Sequence, residues 1–148
     1  MIKAVIFDWG RTIYDKENEI IFAETIEVLE YFSKKYELAI VSLATDGDIE
    51  GRFAKIEKYG LWKYLKFALF HKEDKNSLFR NAFGNLKLKP EEILVVDDYM
   101  KRLEFLIKSG CQTVWIKKGK FADYLPSSKT GEPNFTVNSL LEVLNLGF

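Results

Sequence analysis

Residues 3–12 read Lys-Ala-Val-Ile-Phe-Asp-Trp-Gly-Arg-Thr, an apolar run that ends in an aspartate. A continuous apolar run of this length, without polar alternation, is typical of a strand that is buried on both faces. Strands of this kind form parallel sheets that are covered by helices. Further strands are predicted at Leu38–Val41, Lys66–Phe70, Ile93–Val96, Thr113–Ile116 and Phe135–Val137.

The segments between these strands carry helical patterns. Apolar periodicity, polar capping residues and glycine stops predict the helix boundaries. The alternation of strands and helices predicts an α/β fold with a doubly wound, Rossmann-like parallel sheet of five to six strands and helices on both faces. We expect one domain over residues 1–148. The expected helices are Glu19–Tyr36, Thr45 or Asp46 to about Tyr59, Asp74 or Asn76 to Leu86, about Tyr99 to Ser109, and a closing helix from Asn138.

The amino-acid composition argues against two classes of partner, nucleic acids and membranes. The 22 Lys and Arg balance 22 Asp and Glu, so there is no net charge to attract nucleic acid or an anionic membrane. No apolar run approaches the roughly 20 residues of a membrane-spanning helix. The single cysteine, Cys111, cannot form an internal disulfide, and the first residues lead directly into a strand rather than a signal-peptide pattern. A reducing cytoplasm is therefore the expected location.

Polar residues with related chemistry stand next to the predicted strand ends. In a doubly wound sheet the carboxyl ends of the strands lie along one edge, where ligands bind. Carboxylates are the oxygen ligands that Mg²⁺ prefers, whereas a hydroxyl and an ammonium group suit a phosphate. Lys72 is a less favoured alternative for the ammonium group. The favoured residues are Asp8, Ser42, Lys75 and the pair Asp97 and Asp98.

The order and type of these residues resemble the haloacid dehalogenase-like (HAD) superfamily of hydrolases, and most closely its small magnesium-dependent phosphatases. Each motif alone is weakly specific, but four in order, each at a strand end, form a specific pattern that covers nearly the whole chain. The matching stretches are Asp8-Trp9-Gly10-Arg11-Thr12, Val41-Ser42, Lys75 to Phe79, and Val95-Val96-Asp97-Asp98.

The resemblance implies a magnesium-dependent phosphohydrolase. Asp8 would be the nucleophile and would form an aspartyl-phosphate, which water later hydrolyses. Ser42 and Lys75 would bind the phosphoryl oxygens, with Thr12 on the substrate side holding the loop after Asp8. The implied ligands of Mg²⁺ are Asp8, the backbone carbonyl of Gly10 and Asp97, with Asp98 either sharing the metal or orienting Lys75. An alternative role for Asp98 is to cap the helix that begins near Tyr99.

One position departs from the family pattern. Gly10 stands where the family has a second aspartate, which protonates the leaving group and then activates water. General acid–base catalysis is typically worth ~10²–10⁴ in rate, so slow or atypical activity is expected. Asp15 is a less favoured substitute for the missing acid. Arg11 also stands where the family usually has glycine, so a positive φ is expected to strain it.

The spacing of the motifs leaves no room for the cap domain that usually covers the family's small substrates. The stretches from Asp8 to Ser42 and from Ser42 to Lys75 are already filled by predicted helices and a strand. An open site suits a phosphorylated small molecule, or an exposed phosphate on a larger substrate. It also suits a homodimer in which a second subunit covers the site.

Two other functional classes compete with the enzyme. A non-catalytic phosphate-binding or partner-binding protein is the alternative that Gly10 leaves open. A response-regulator receiver is nearly excluded, because it expects its acidic pair after the first strand, whereas Asp97 and Asp98 follow the fourth.

Overall fold

A computed structural model describes all of residues 1–148 and has a six-stranded sheet at its centre. The order of strands across the sheet is β5-β4-β1-β6-β7-β8, and every neighbouring pair is parallel. Strands β2 and β3 form a separate antiparallel hairpin. The strands are β1 (Ala4–Phe7), β2 (Tyr14–Asp15), β3 (Ile20–Ile21), β4 (Glu37–Leu43), β5 (Phe67–His71), β6 (Ile93–Asp97), β7 (Gln112–Ile116) and β8 (Phe135–Val137).

Four α-helices cover the two faces of the sheet. Shorter 3₁₀ turns occupy Leu61–Tyr64, Pro90–Glu92, Gly119–Phe121 and Leu141–Asn145. None of the helices combines the length and the apolar character needed to cross a bilayer. The α-helices are α1 (Thr25–Ser33), α2 (Ile49–Lys58), α3 (Lys75–Leu86) and α4 (Met100–Ser109).

Strand β1 divides the hydrophobic core into two layers. Val5 and Phe7 point to one face, where they join the buried residues of α1 and α2. Ala4 and Ile6 point to the other face and pack with α3 and α4. All four side chains are fully buried, as the unalternating apolar run predicts. The predicted doubly wound α/β fold is therefore confirmed, and no cap domain is present.

The first helix is shorter than the sequence predicts. Its expected start at Glu19 is wrong, because Glu19 has a left-handed backbone with φ 55° and belongs to the β2–β3 hairpin. The carboxylate of Asp15 accepts hydrogen bonds from the backbone N–H groups of Glu17 and Asn18, which fixes the turn. Apolar periodicity alone does not register such a local side-chain bond.

Two other predicted boundaries also differ from the structure. Neither Thr45 nor Asp46 caps α2; Asp48 does, and its side chain accepts a hydrogen bond from Gly51 N–H. Asp46 instead pairs with Arg52. The closing helix expected from Asn138 is only a 3₁₀ turn over Leu141–Asn145, a short segment of the length at which 3₁₀ geometry is common.

The strand order places the candidate site. Strand β1 lies between β4 and β6, so the carboxyl ends of these three strands are side by side. Phe7 pairs with Ile40 on one side and with Val96 on the other. Asp8 therefore leaves the sheet between Ser42 and Asp97.

Candidate active site

Asp8 occupies the centre of the site. Its backbone N–H donates to the carbonyl of Val96 at 3.0 Å, which holds the residue at the end of the sheet. Its Oδ1 accepts two hydrogen bonds, from Ser42 Oγ at 2.6 Å and from Lys75 Nζ at 2.9 Å. Oδ2 has no hydrogen bond to the protein, and the residue remains 8% exposed along a cleft. One carboxylate oxygen is thus held and the other is available.

Lys75 joins the two acidic parts of the site. It is the first residue of α3, which begins there because the side chain of Asp74 accepts from Ser77 N–H. Its ammonium group contacts Asp8 Oδ1 and also donates to Asp97 Oδ2 at 2.5 Å. Burial lowers the pKa of Lys75, but the charges of Asp8 and Asp97 outweigh burial and raise the pKa overall. The alternative, Lys72, is exposed and makes no ion pair.

Asp97 and Asp98 complete the acidic cluster. Asp97 Oδ1 accepts a hydrogen bond from Tyr99 N–H at 3.0 Å. The backbone carbonyl of Asp98 accepts from Trp115 Nε1 at 3.0 Å, but its side-chain Oδ2 is buried without a partner. The alternative role of Asp98 as a helix cap is therefore wrong, since Tyr99 precedes α4 and no side chain caps it.

The three carboxylates repel one another in a buried space. Oxygen atoms of Asp8, Asp97 and Asp98 lie within 4.8 Å of one another. Burial, followed by the charges of Asp97 and Asp8, raises the pKa of Asp98 to about 9. Burial and the charge of Asp8 also raise the pKa of Asp97. Lys75 supplies one positive charge to this cluster, so a further cation would stabilise it.

The donor set fits Mg²⁺. Three carboxylates within reach of a single ion are the hard oxygen ligands that this cation takes, and Asp98 Oδ2 is a buried acceptor that nothing in the protein satisfies. Gly10 lines the same cleft, as expected for the residue whose carbonyl would join them.

The loop after Asp8 has the strain that the sequence predicts. Arg11 has φ 62°, a left-handed conformation that is unfavourable for a residue with a side chain. The backbone N–H groups of Ile13 and Tyr14 both donate to the carbonyl of Trp9, which closes the loop tightly. Thr12 is buried in this loop, does not line the cleft, and its Oγ1 has no hydrogen bond. Its expected role toward the substrate stays a prediction.

The space beside Gly10 is taken by Lys16. A Cβ at Gly10 would lie 2.8 Å from Lys16 Cδ, so the lysine stem covers the position from which an acidic side chain would project. Burial, then the charges of Arg11 and Arg52, lower the pKa of Lys16. Asp15, the proposed substitute acid, is held in the hairpin by Asn18 and does not line the cleft.

Sequence reasoning missed the rim of the cleft. The cleft has a volume of about 120 Å³, and its floor is the acidic cluster with Ser42 and Lys75. Arg11 and Tyr99 directly follow the two acidic motifs and Arg102 lies in the first turn of α4, so these three could have been noticed in the sequence. Lys16, Arg52 and Phe121 come from separate parts of the chain and carry no local signal. The rim residues are Arg11, Lys16, Arg52, Arg102, Tyr99 and Phe121.

Two residues near these elements have ordinary structural roles. His71 Nδ1 accepts hydrogen bonds from the backbone N–H groups of Glu73 and Asp74, just before α3. Cys111 is buried and unpaired, and burial raises the pKa of its thiol to about 12. Such a thiol is unreactive at neutral pH.

Solved structures share this fold, although no protein-family model and no curated protein matches the sequence. A haloacid dehalogenase-like hydrolase from Streptococcus pneumoniae is similar over 97% of both chains, with a TM-score of 0.74 and 15% identity. An L-2-haloacid dehalogenase from Xanthobacter autotrophicus has a TM-score of 0.79 and 12% identity over 99% of this chain and 98% of that one.

A third similar structure contains a metal ion. It is a HAD hydrolase of Bacillus subtilis bound to magnesium, with a TM-score of 0.70 and 15% identity over 87% of this chain and 57% of that one. The chain thus has the fold of the HAD-like hydrolases, and the resemblance predicted from the sequence is confirmed at the level of the fold.

Proposed function

We propose that this protein is a magnesium-dependent phosphohydrolase that acts through an aspartyl-phosphate on Asp8. The proposal rests on one observation, the different hydrogen bonding of the two carboxylate oxygens of Asp8. One of its oxygens is held by Ser42 and Lys75, and the other has no partner and belongs to a residue that lines the cleft. A carboxylate can attack phosphorus directly, without a general base to activate it.

The chemistry proceeds in two steps. Asp8 Oδ2 attacks phosphorus while the ester P–O bond breaks and its electron pair leaves with the alcohol oxygen. Water then attacks phosphorus, which releases phosphate and restores Asp8. Ser42 and Lys75 stabilise the charge on the phosphoryl oxygens in both steps. When bound, Mg²⁺ held by Asp8, Asp97, Asp98 and the Gly10 carbonyl reduces the repulsion between the nucleophile and the anionic ester.

Because Gly10 supplies no acid, we expect slow hydrolysis and a preference for esters with good leaving groups. With Gly10 in place of the family's acid, the departing alcohol takes its proton from water. Esters with poor leaving groups should therefore react slowly, and activated aryl esters should react faster. A reducing cytoplasm suits this proposal, since the one thiol, Cys111, is buried and unpaired.

Gly10 also favours one alternative, a non-catalytic protein that binds a phosphate or a partner through the same cleft. A carbon–halogen hydrolase is a further comparison, because haloacid dehalogenases are among the similar structures and displacement of a halide needs no acid. The buried acidic triad favours the phosphate ester, since its charges call for the cation that phosphoryl transfer uses.

The test is hydrolysis of para-nitrophenyl phosphate with and without Mg²⁺ by wild type, Asp8→Asn and Gly10→Asp. Asp123→Asn is the matched control, because Asp123 is an exposed acid that does not line the cleft. We expect slow, magnesium-dependent turnover in wild type and in the control, and none in Asp8→Asn.

Gly10→Asp extends the test to the missing acid. An added Cβ meets only the flexible stem of Lys16, so the variant is expected to fold. Its gain should be larger for an alkyl phosphate than for the aryl ester, which needs little protonation. Full activity in Asp8→Asn would refute the nucleophile. No turnover in any variant would favour the binding protein, and chloride release from 2-chloropropionate would favour the dehalogenase.

A further inference from the structure

The cations at the rim of the cleft have no role in the chemistry described above. Ser42 and Lys75 already serve the phosphoryl group at the floor. Yet four more cationic side chains line the same cleft, in a chain whose total charge is zero: Arg11, Lys16, Arg52 and Arg102. We propose that the substrate is a small phosphate ester with a second anionic group, which these rim residues bind. This inference rests on the proposed phosphate site.

Two of the four cations lack an anionic partner within the protein. Lys16 and Arg102 make no ion pair, and the Arg102 guanidinium lies over the Tyr99 ring at 5.7 Å. A cation–π contact of this kind leaves the N–H groups of a guanidinium available to an anion. An unpaired guanidinium beside a phosphate site is suited to a carboxylate or a second phosphate.

The other two cations are only partly satisfied. Arg52 is 6% exposed and uses Nη1 to bind Asp46, but its Nε is buried without a partner. Arg11 pairs with Glu17 through Nε and lies over the Phe121 ring at 5.5 Å. Residues from the first loop, α2 and α4 thus bring positive charge to the same opening.

The acidic cluster at the floor of the cleft does not explain the four cations at its rim. Lys75 is neutralised by Asp8 and Asp97, and a phosphate monoester with its cation would occupy the remaining acidic cluster. The rim cations therefore face whatever the alcohol portion of the ester carries. A neutral alcohol would leave Lys16 and Arg102 without a counter-charge, whereas an anionic one would bind them.

The size of the site favours a small molecule over a nucleic acid. The cleft holds about 120 Å³, and the chain has equal numbers of acidic and basic residues, so the molecule has no net positive charge to attract a phosphate backbone. Phosphorylated hydroxy acids and small bisphosphates have the required two anionic groups.

The test is calorimetric binding of matched phosphonates, which cannot be hydrolysed, in the presence of Mg²⁺. The probes are benzylphosphonates that carry a carboxylate at ring position 3 or 4 and their carboxamide counterparts. We expect at least one carboxylate to bind about tenfold more tightly than its amide, corresponding to about 1.4 kcal/mol. The preference should fall toward one in Arg102→Gln and in Lys16→Gln. Lys108→Gln is the control, because Lys108 lies on the same helix, is exposed and does not line the cleft.

The outcomes separate this inference from the proposed function. Equal affinities for carboxylate and amide, no binding of either, or a preference that survives in both rim variants would overturn it. Tighter binding of a 5′-phosphorylated oligonucleotide would assign the rim to nucleic acid and would also overturn it. Hydrolysis of aryl phosphates without a carboxylate preference would leave the proposed function intact. The preference without any hydrolysis would support the second anionic group and refute the phosphohydrolase.

Discussion

Lys75 and Asp8, which are 67 positions apart in the chain, form a buried ion pair with 2.9 Å between Nζ and Oδ1. The same ammonium group contacts Asp97, so one cation joins the ends of two neighbouring strands. A buried charge without its partner is strongly destabilising, which makes this pair a structural as well as a chemical element of the site.

Lys75→Met should lower the free energy of unfolding by about 3–5 kcal/mol, because Asp8 and Asp97 would remain buried without their cation. Urea denaturation measures the change. Lys66→Met is the control, since Lys66 pairs with Glu37 on the surface, and its loss should cost no more than about 1 kcal/mol. Equal losses in the two variants would show that the ion pair at the site contributes no more than a surface pair.

Magnesium should raise the thermal unfolding midpoint of the wild-type protein, because in the proposed site the ion would bind three carboxylates that only folding brings together. At a concentration one hundred times the Kd, the stabilisation would be about 2.7 kcal/mol. Asp98→Asn should reduce the shift, whereas Asp123→Asn, at an exposed position, should preserve it. An unchanged midpoint in wild type, measured by calorimetry against an EDTA control, would contradict the metal site.

The stability of the metal-free protein should fall as the pH rises above about 4. Burial first, then Asp97 and Asp8, raise the pKa of Asp98 from 3.8 to about 9, so the folded state holds a proton that the unfolded state has lost. The contribution of this proton to stability is fully present below pH 3.8 and is lost as the pH approaches about 9.

Asp98→Asn removes this titration, so its unfolding free energy should depend less steeply on pH. Urea denaturation from pH 5 to 8 in EDTA measures both proteins, with each slope limited to ~1.4 kcal/mol per pH unit for one proton. Parallel curves would contradict the role assigned to Asp98.

Arg11→Gly should leave the unfolding free energy unchanged or raise it by up to about 1 kcal/mol. The left-handed φ of 62° costs a residue with a side chain about 1–2 kcal/mol, which outweighs the extra flexibility of glycine in the unfolded chain. Thermal denaturation can compare it with Ala54→Gly on α2, where glycine should cost about 1 kcal/mol. A loss at Arg11 as large as that at Ala54 would be inconsistent with strain.

The positions of Asp8, Ser42 and Asp97 could be inferred from the sequence because they depend on strand ends alone. Continuous apolar runs identify the strands, and parallel pairing brings their carboxyl ends to one edge. Lys75 could be placed as well, since the capping residue Asp74 fixes where α3 begins.

The hairpin and the rim were not predictable in this way. The start of α1 depends on a carboxylate that binds the turn after Asp15, a contact that competes with apolar periodicity over the same residues. Lys16 and Arg52 reach the cleft from a loop and a helix whose approach depends on tertiary packing. Short sequence motifs do not indicate which distant residues tertiary packing will bring to the cleft.

The central position of β1 also determines how the site responds to fluctuations. The Asp8 N–H group donates to Val96, on a central strand of the sheet. Arg11 and Lys16 instead lie on either side of β2, in a hairpin whose two strands have only two residues each. The Asp8 amide should therefore be among the slowest to exchange with deuterium, opening only when the whole domain unfolds, while the hairpin exchanges through local opening. The loop that carries Arg11 and Lys16 can thus change its shape while the Asp8 carboxylate stays in register.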